Sequence, residues 1–220
     1  MKKLLFIAFI FSSINSFAQN VQLHYDFAED RQFFTTTLEM FKPDKLGNTF
    51  FFVDMDYDDN GVVGAYWEIA RVFKTEKMPI GIHAEFNSGT VGGFPINSAF
   101  LAGIDYSINA SDFSKGVSFK ALYKTIRDKH NASFQFTTVW YVNFWNNKMT
   151  FSGFADFWKE DSDFDFDGNV DANYIFLSEP QIWYNIHKNF SAGAELELTN
   201  NFGLQEGFKA RPTAAVKWIF

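Results

Sequence analysis

The 220-residue sequence contains no cysteine, which excludes a disulfide framework, cysteine-ligated metal sites and thiol catalysis. Basic residues are in the minority, with 19 Lys and Arg against 26 Asp and Glu, and the net charge is −7. Because phosphate contacts need clustered Lys and Arg, this balance argues against nucleic acid as a partner. Long apolar runs and helical periodicity are scarce beyond the N-terminus, so no transmembrane helix is expected there.

The sequence is instead rich in large rings. It has 30 Phe, and aromatic residues make up 20% of the chain. The mean hydropathy is nevertheless only −0.15, so polar residues must be interleaved with the rings. A chain this aromatic has too much apolar surface to stay disordered in water, and its length fits a single domain.

The N-terminus has the pattern of a signal peptide. Two lysines follow the initiating Met, residues 4–11 are apolar, and Ser16 and Ala18 are small residues suited to a cleavage site. We therefore expect a signal peptide over 1–18 and a mature domain over 19–220. The alternative is an uncleaved anchor, although the apolar run is short for a membrane span. No cysteine follows that run, so a lipoprotein anchor is not expected.

The rest of the sequence alternates with a period of two. In residues 132–144, Phe134, Phe136 and Trp140 share one face, while Gln135 and Thr137 share the other. Such alternation predicts β-strands, and strands this long are typical of membrane barrels. Strands are predicted over 21–27, 33–41, 48–57, 64–74, 80–87, 100–109, 117–126, 132–144, 149–159, 174–187, 190–199 and 207–220.

The connections and the C-terminus favour an outer-membrane barrel. With the N-terminus in the periplasm, the three longest predicted loops all fall on the outer side, as in known membrane barrels. Phe220 ends an apolar face that includes Trp218, which is typical of an outer-membrane assembly signal. Pro180 interrupts one predicted strand and is tolerable there only at a bulge. Outer loops are expected near 28–32, 58–63, 88–98, 127–131, 160–173 and 200–206, and inner turns near 42–47, 75–79, 110–116, 146–148 and 188–189.

The predicted fold is thus all-β, an antiparallel transmembrane β-barrel of about 12 strands in the bacterial outer membrane. Its expected partners are outer-membrane lipid and the barrel assembly machinery, and we expect a monomer. The rival architecture is a soluble periplasmic β-barrel or sandwich that buries its rings and exposes its polar faces. Rings as many and as large as these are difficult to fit inside a small barrel, which favours the membrane form.

Five stretches, in order along the chain, carry a family resemblance. They are residues 36–41 (TTLEMF), 67–73 (WEIARVF), 101–105 (LAGID), 152–158 (SGFADFW) and 217–220 (KWIF). In this order they resemble the nucleoside-specific channel-forming porin family (Tsx-like), which forms twelve-stranded outer-membrane barrels. The chain looks like a shorter relative with shorter outer loops. The resemblance implies a narrow lumen in which aromatic and ionisable side chains bind nucleosides weakly as they pass.

If the apolar faces contact lipid, the opposite faces line a lumen. Rings beside carboxylates suit a flat, polar solute such as a nucleoside, because its base can stack and its sugar can hydrogen-bond. Arg71 has the same parity as Trp67, so it reaches the lumen only if a bulge reverses its direction. The predicted solute-binding residues are Glu39, Asp54, Glu68, Arg71, Glu85, Asp105, Tyr141, Phe154, Asp156, Trp158 and Glu195.

Metal binding and catalysis have weaker support. Asp163, Asp165 and Asp167 form the first half of a calcium loop, but Tyr174 stands where a bidentate Glu is required. Solvated turns are the simpler interpretation. The four histidines show no metal-ligand spacing, and no serine stands out as a nucleophile. We therefore predict a passive channel for small polar solutes that is not an enzyme and has neither cofactor nor metal; the alternative is a non-transporting structural or adhesive barrel.

The signal-peptide prediction can be tested on protein recovered from a bacterial outer-membrane fraction. Mass spectrometry of the intact chain is expected to give a mature N-terminus at Gln19. Replacing Ala18 with a bulky residue should block processing, because the cleavage site needs a small side chain at that position. A mature protein that retains residues 1–18 would contradict the prediction and favour the uncleaved anchor.

Overall fold

A computed structural model describes residues 18–75, 77–129 and 133–220. Residues 1–17 of the predicted signal peptide therefore lie outside the described residues. The described chain forms a single antiparallel sheet of 13 strands. The strands are β1 (Ala18–Asp26), β2 (Phe34–Asp44), β3 (Gly47–Asp58), β4 (Gly61–Phe73), β5 (Gly81–Val91), β6 (Phe94–Asn109), β7 (Lys115–Ile126), β8 (Ser133–Phe144), β9 (Met149–Ser162), β10 (Ala172–Ser178), β11 (Gln181–His187), β12 (Phe190–Asn200) and β13 (Phe208–Ile219).

The sheet closes on itself. From β1 to β9 each strand pairs with its sequence neighbours, and β1 pairs with both β2 and β13. Strands β10 and β11 both lie between β9 and β12 in one unbroken register, so they are two halves of one wall strand. The barrel therefore has 12 strands, and the predicted fold is confirmed. None of the described residues forms a helix of the length and apolar character needed to cross a bilayer.

The break between β10 and β11 falls at Pro180, which has no backbone N–H to donate. The neighbouring strands still hold the break. The Glu179 N–H donates to the Phe154 carbonyl at 3.1 Å, and the Pro180 carbonyl accepts from the Leu196 N–H at 3.0 Å. Gly153 lies opposite the break, where an added Cβ would come within 2.4 Å of the Glu179 carbonyl oxygen. A glycine is therefore required at this point of the wall.

Burial is reversed relative to a water-soluble protein. On β8, Phe136 points outward and is 53% exposed, whereas the neighbouring Gln135 points inward and is 5% exposed. The same alternation appears on β1, where Val21 and Leu23 are exposed and Gln22 is buried. An exposed apolar surface that surrounds the barrel needs lipid as its solvent. The polar faces therefore line an enclosed lumen.

The hairpin between β5 and β6 differs from the prediction. Residues 88–98 were expected to form an outer loop, but both strands continue to a tight turn at Gly92 and Gly93, whose φ angles are 57° and 82°. The small residues that suggested a loop allow close strand contact, since a Cβ on Gly89 would lie 2.5 Å from the Ala65 carbonyl oxygen. The longest outer connection that the structure describes without a gap is instead residues 163–171.

The two ends of the described chain meet at the closing seam. The Phe220 N–H donates to the Gln19 carbonyl at 3.1 Å, and Trp218 packs against Phe190 with ring centroids 6.2 Å apart. Trp218 is 50% exposed on the outward face, as the alternation predicted. The longest connection that the structure describes without a gap, residues 163–171, lies at the opposite end, so this end is the periplasmic one.

The close approach at Gly153 can be tested by adding one methyl group. Gly153→Ala is expected to lower the free energy of unfolding by about 1–3 kcal/mol, because the new Cβ collides with the backbone of the facing strand. Urea unfolding in detergent micelles, followed by tryptophan fluorescence, measures the change. Ser152→Ala is the control, since it adds no atom to the same strand. Equal stability of Gly153→Ala and the unsubstituted protein would contradict the proposed packing.

Candidate functional site

The lumen is lined mainly by polar and acidic side chains. Acidic groups come from nearly every part of the wall, and basic groups are fewer. The acidic groups are Asp26, Glu39, Asp54, Asp56, Glu68, Glu85, Asp105, Asp156, Glu160, Glu179, Glu195 and Glu197, and the basic groups are Arg31, Lys120, Lys124, Arg211 and Lys217.

Three carboxylates converge near the middle of the lumen, and we call Glu68, Glu85 and Asp156 the central acidic group. Glu68 is on β4 and Glu85 on β5, whereas Asp156 is on β9, across the ring of strands. Glu68 is close enough to interact electrostatically with both of the others and with Lys120. Three acidic groups and one lysine thus interact at this level, so most of its ionisable groups are acidic.

The members of the central acidic group differ in the hydrogen bonds that their carboxylates accept from neighbouring side chains. Glu85 accepts from His83 Nε2 at 2.8 Å and from Asn87 Nδ2 at 3.3 Å, so both of its oxygens are held. The Oδ1 atom of Asp156 is buried and has no hydrogen-bond partner among the described residues. A buried carboxylate oxygen without a donor is costly, so Asp156 is a wall residue whose retention needs a functional explanation.

A second set of carboxylates lies on the side of the lumen where the barrel closes. We call Glu39, Asp54, Glu179 and Glu195 the seam acidic group, because their strands surround β1 and β13. Glu195 accepts from Gln181 Nε2 at 2.6 Å, and Glu39 accepts from Asn20 Nδ2 at 2.8 Å. Asp54 and Glu179 each interact electrostatically with Glu195. The seam acidic group thus extends the negative surface of the lumen.

Two lumen lysines lie over indole rings. Lys124 Nζ is 4.2 Å from the ring centroid of Trp158 and donates to Gln135 Oε1 at 2.8 Å. Lys217 Nζ is 3.9 Å from the ring centroid of Trp183, a side chain with 0% exposure. Cation–π contact stabilises each ammonium group and covers one face of each indole. These two tryptophans are therefore part of the wall rather than free stacking surfaces.

Other rings remain open to the lumen. Phe50, Phe52 and Tyr66 form a ladder on β3 and β4, with successive ring centroids 5.9 Å and 5.8 Å apart. Tyr141, nearer the periplasmic end, donates its hydroxyl to Asn109 Oδ1 at 3.1 Å. Phe154 lies between these levels and faces inward from β9. Half-buried rings along the path offer sequential stacking surfaces.

Charged side chains join one extracellular loop to the neighbouring strands at one side of the mouth. We call Asp26, Asp30, Arg31, Glu197 and Arg211 the mouth network. Arg31 donates to both oxygens of Glu197, at 3.0 and 2.9 Å, and Arg211 donates to Glu197 at 2.8 Å. Arg31 also lies 3.3 Å from Asp26 Oδ2. Loop 27–33 is thereby tied to strands β12 and β13 above the lumen.

Asp30 completes the mouth network from the loop side. It accepts from Arg211 Nη2 at 2.8 Å, and this charged hydrogen bond lowers the pKa of Asp30 from its ordinary value to about 2. A carboxylate with a lowered pKa keeps its contact above that value and loses it as the pH falls further. The link between the loop and Arg211 is therefore intact throughout the neutral and mildly acidic range.

All of the predicted solute-binding residues face the lumen except Arg71. Arg71 lies on the outward face with Ile69 and Phe73, and it donates to Asp44 at 2.6 and 2.9 Å near the periplasmic end. No bulge reverses the direction of Arg71, because the register shift between β3 and β4 lies at Asp56 and Tyr57, far from Arg71. Asp105 faces inward but is held by Ser107 at 2.6 Å and Ser118 at 2.8 Å. Solute binding by the inward-facing residues stays a prediction.

Arg31 and Glu179 are lumen residues that the sequence did not single out. Arg31 belongs to a loop, where strand parity says nothing about direction. Glu179 directly precedes Pro180, and the break obscured its place in the alternation. The constant register of β10 and β11 is the feature that could have identified Glu179, since inward positions stay in phase across the proline.

The acidic loop 163–171 lies outside the lumen. Asp163, Asp165 and Asp171 have carboxylate oxygens within 4.8 Å of one another. The Asp163 carboxylate already accepts from the Gly168 N–H at 2.8 Å, and Asp171 accepts from the Phe164 N–H at 2.7 Å. These contacts are those of solvated turns, the simpler of the two interpretations of the sequence. The loop does not contribute to the lumen site.

Comparisons with known proteins agree with this geometry. The model of a family described as "Domain of unknown function (DUF5020)" matches residues 18–220. A KdgM porin is 12% identical with a TM-score of 0.56, and the match covers 92% of this chain and 99% of that one. A NanC porin is 9% identical with a TM-score of 0.61, covering 91% and 99%. A KdgM porin in complex with disordered oligogalacturonate is 10% identical with a TM-score of 0.53, covering 92% and 99%.

No curated protein matches the sequence significantly. At such low identity the structural likeness concerns the fold alone, which is that of outer-membrane porins. The apolar belt around the barrel is the surface that this fold presents to lipid. The protein is therefore an outer-membrane β-barrel. Nucleoside specificity receives no support from these comparisons, and it remains a prediction of the sequence resemblance.

The mouth network predicts protection of loop 27–33 from protease. Glu197→Gln should speed trypsin cleavage after Arg31 by about tenfold or more, because a charge-assisted hydrogen bond of about 1.5–3 kcal/mol is lost. Mass spectrometry of fragments from protein in liposomes measures the cut. Asp59→Asn makes the same chemical change at the tip of the β3–β4 turn, outside the network. Equal cleavage of the Glu197 variant and this control would contradict the network.

Proposed function

The chain belongs to the DUF5020 family of domains of unknown function, and we propose that it is an outer-membrane channel for passive uptake of small polar solutes. The observation that carries this proposal is the lining of the lumen, to which nearly every part of the wall contributes inward polar or charged side chains. A barrel with no transport role gains nothing from a row of carboxylates enclosed in its wall, since burying charge is costly. A polar lining provides hydrogen bonds to a solute that leaves water.

Rapid passage requires several weak contacts rather than one tight site. The lumen supplies them along the path: the mouth network, the ladder of Phe50, Phe52 and Tyr66 beside the central acidic group, and Tyr141 near the periplasm. A solute can exchange one contact for the next without becoming trapped. We propose that the inward-facing residues predicted from the sequence act in this way.

Nucleosides are the first solutes to test. The Tsx-like sequence resemblance suggests them, and the open rings beside carboxylates fit a base and a sugar. Trp158, one of the predicted stacking residues, is covered on one face by Lys124. The proposal therefore places base stacking on the Phe52–Tyr66 ladder rather than on Trp158.

A non-transporting structural or adhesive barrel is the second candidate. It is favoured by the complete burial of several inward side chains, including His83 and Trp183, which fill part of the lumen. The acidic loop 163–171 and exposed Phe166 would then provide an adhesive surface. Such a barrel would be silent in conductance measurements and would lose partner binding when this loop is deleted. A monomer inserted by the barrel assembly machinery is expected under either function.

Conductance across planar bilayers distinguishes the two functions. The purified protein is expected to carry a steady ionic current, and added adenosine or uridine should block it partly as the solute enters the lumen. Complete silence over a wide range of salt concentrations would contradict the channel. Current without nucleoside block would keep the channel and remove nucleosides as its solutes.

The stacking ladder predicts which residue governs the block. Tyr66→Ala should raise the nucleoside concentration needed for half-block by about tenfold, since stacking of a base on an aromatic ring contributes about 1–3 kcal/mol. Tyr184→Ala removes a tyrosine from the outward face and is the matched control. An equal effect of both substitutions would place nucleoside binding elsewhere in the barrel.

A further inference from the structure

We propose that the charges of the lumen make this channel prefer cationic and neutral solutes to anions, so that amines and sugars pass and acidic sugars are largely excluded. The inference rests on the proposed channel function and specifies the class of solute. It depends on three observations: the excess of carboxylates, the contacts of the basic residues, and the unsatisfied oxygen of Asp156.

The excess of carboxylates includes groups that interact from separate parts of the wall. Glu68 and Glu85 on β4 and β5 interact electrostatically with Asp156 on β9, and Lys120 is a basic group that Glu68 and Asp156 share. The seam acidic group continues the negative surface along β2, β3, β12 and the β10–β11 break. Charges that line a narrow pore act on a permeating ion over short distances, where salt screens them poorly.

Most basic side chains of the lumen are already engaged. Arg31 and Arg211 bind carboxylates of the mouth network, and Lys124 and Lys217 lie over indole rings. Their positive charges are therefore partly balanced before a solute arrives. An anion that reaches the centre finds Lys120, which already interacts with the central acidic group. Exclusion of anions follows from this arrangement rather than from net charge alone.

The Oδ1 atom of Asp156 supplies the independent observation. It is buried, it lacks a hydrogen-bond donor among the described residues, and it belongs to the β9 wall opposite Glu68. Because the atom is buried, it acts on a passing solute through its electrostatic field rather than by direct contact. That field attracts a solute ammonium group and repels the carboxylate of an acidic solute. The arrangement thus favours cations at this level.

Reversal potentials in a salt gradient measure the preference. With unequal KCl across the bilayer, the permeability ratio of K⁺ to Cl⁻ is expected to exceed one by several-fold. Asp156→Asn and Glu68→Gln should each lower this ratio by roughly two- to fivefold, because each removes an acidic group beside the path. Lys120→Gln should raise it. Asp112→Asn, in an exposed periplasmic turn, is the control and should leave the ratio unchanged.

The outcomes separate this inference from the channel itself. Absence of current would overturn the channel, and the selectivity with it. A current with a K⁺ to Cl⁻ ratio of one or less would overturn the selectivity and keep the channel. Liposome swelling adds a test with organic solutes: galactose should enter faster than galacturonate, which has the same ring but a carboxylate. Equal entry of the two sugars would also contradict the inference.

Discussion

The rest of the structure depends on one constraint, which is that no backbone N–H or C=O in the lipid-facing wall can be left without a partner. In a bilayer core, water is absent and each unsatisfied group is expensive, so a sheet must close. Pairing of β1 with β13 achieves closure and leaves no edge strand. Closure in turn gives every strand an outward and an inward face, so strand parity determines which side chains reach the lumen.

The same need for hydrogen-bond partners applies to the polar side chains that face the lumen, and it explains how so many of them are accommodated. Positions two residues apart share the inward face, and several such pairs hydrogen-bond along one strand. His24 bonds Gln22, His83 bonds Glu85, and Trp183 donates to Gln181 at 2.9 Å. Alternation therefore does more than separate apolar from polar residues, because it also places polar partners at bonding distance. The enclosed wall is satisfied largely by its own neighbours, with Asp156 as an exception.

Alternation in the sequence predicted the strands, the closed barrel and most inward residues. The side on which a strand residue lies depends only on its place in the alternation, and lipid outside the barrel maintains that pattern over long segments. Three features were not predictable in this way. The hairpin after Asn87 is rich in glycine and small residues, which look like a loop although they permit close strand pairing. Arg31 acts from a loop, where parity does not apply. The outward direction of Arg71 was readable from its parity with Trp67, and the bulge that a lumen role required is not present near it.

The charge of a lumen cannot be judged by counting its residues. A lysine over an indole ring, such as Lys217 over Trp183, is stabilised where it lies and offers less to an anion than an unengaged ammonium group. Arg211 between Glu197 and Asp30 is likewise balanced in advance. Several carboxylates of the seam acidic group instead accept hydrogen bonds from neutral amides, as Glu195 does from Gln181 and Glu39 from Asn20. The basic groups are thus paired with charges or rings more often than the acidic groups are paired with cations, so the contacts disfavour anions more than composition alone indicates.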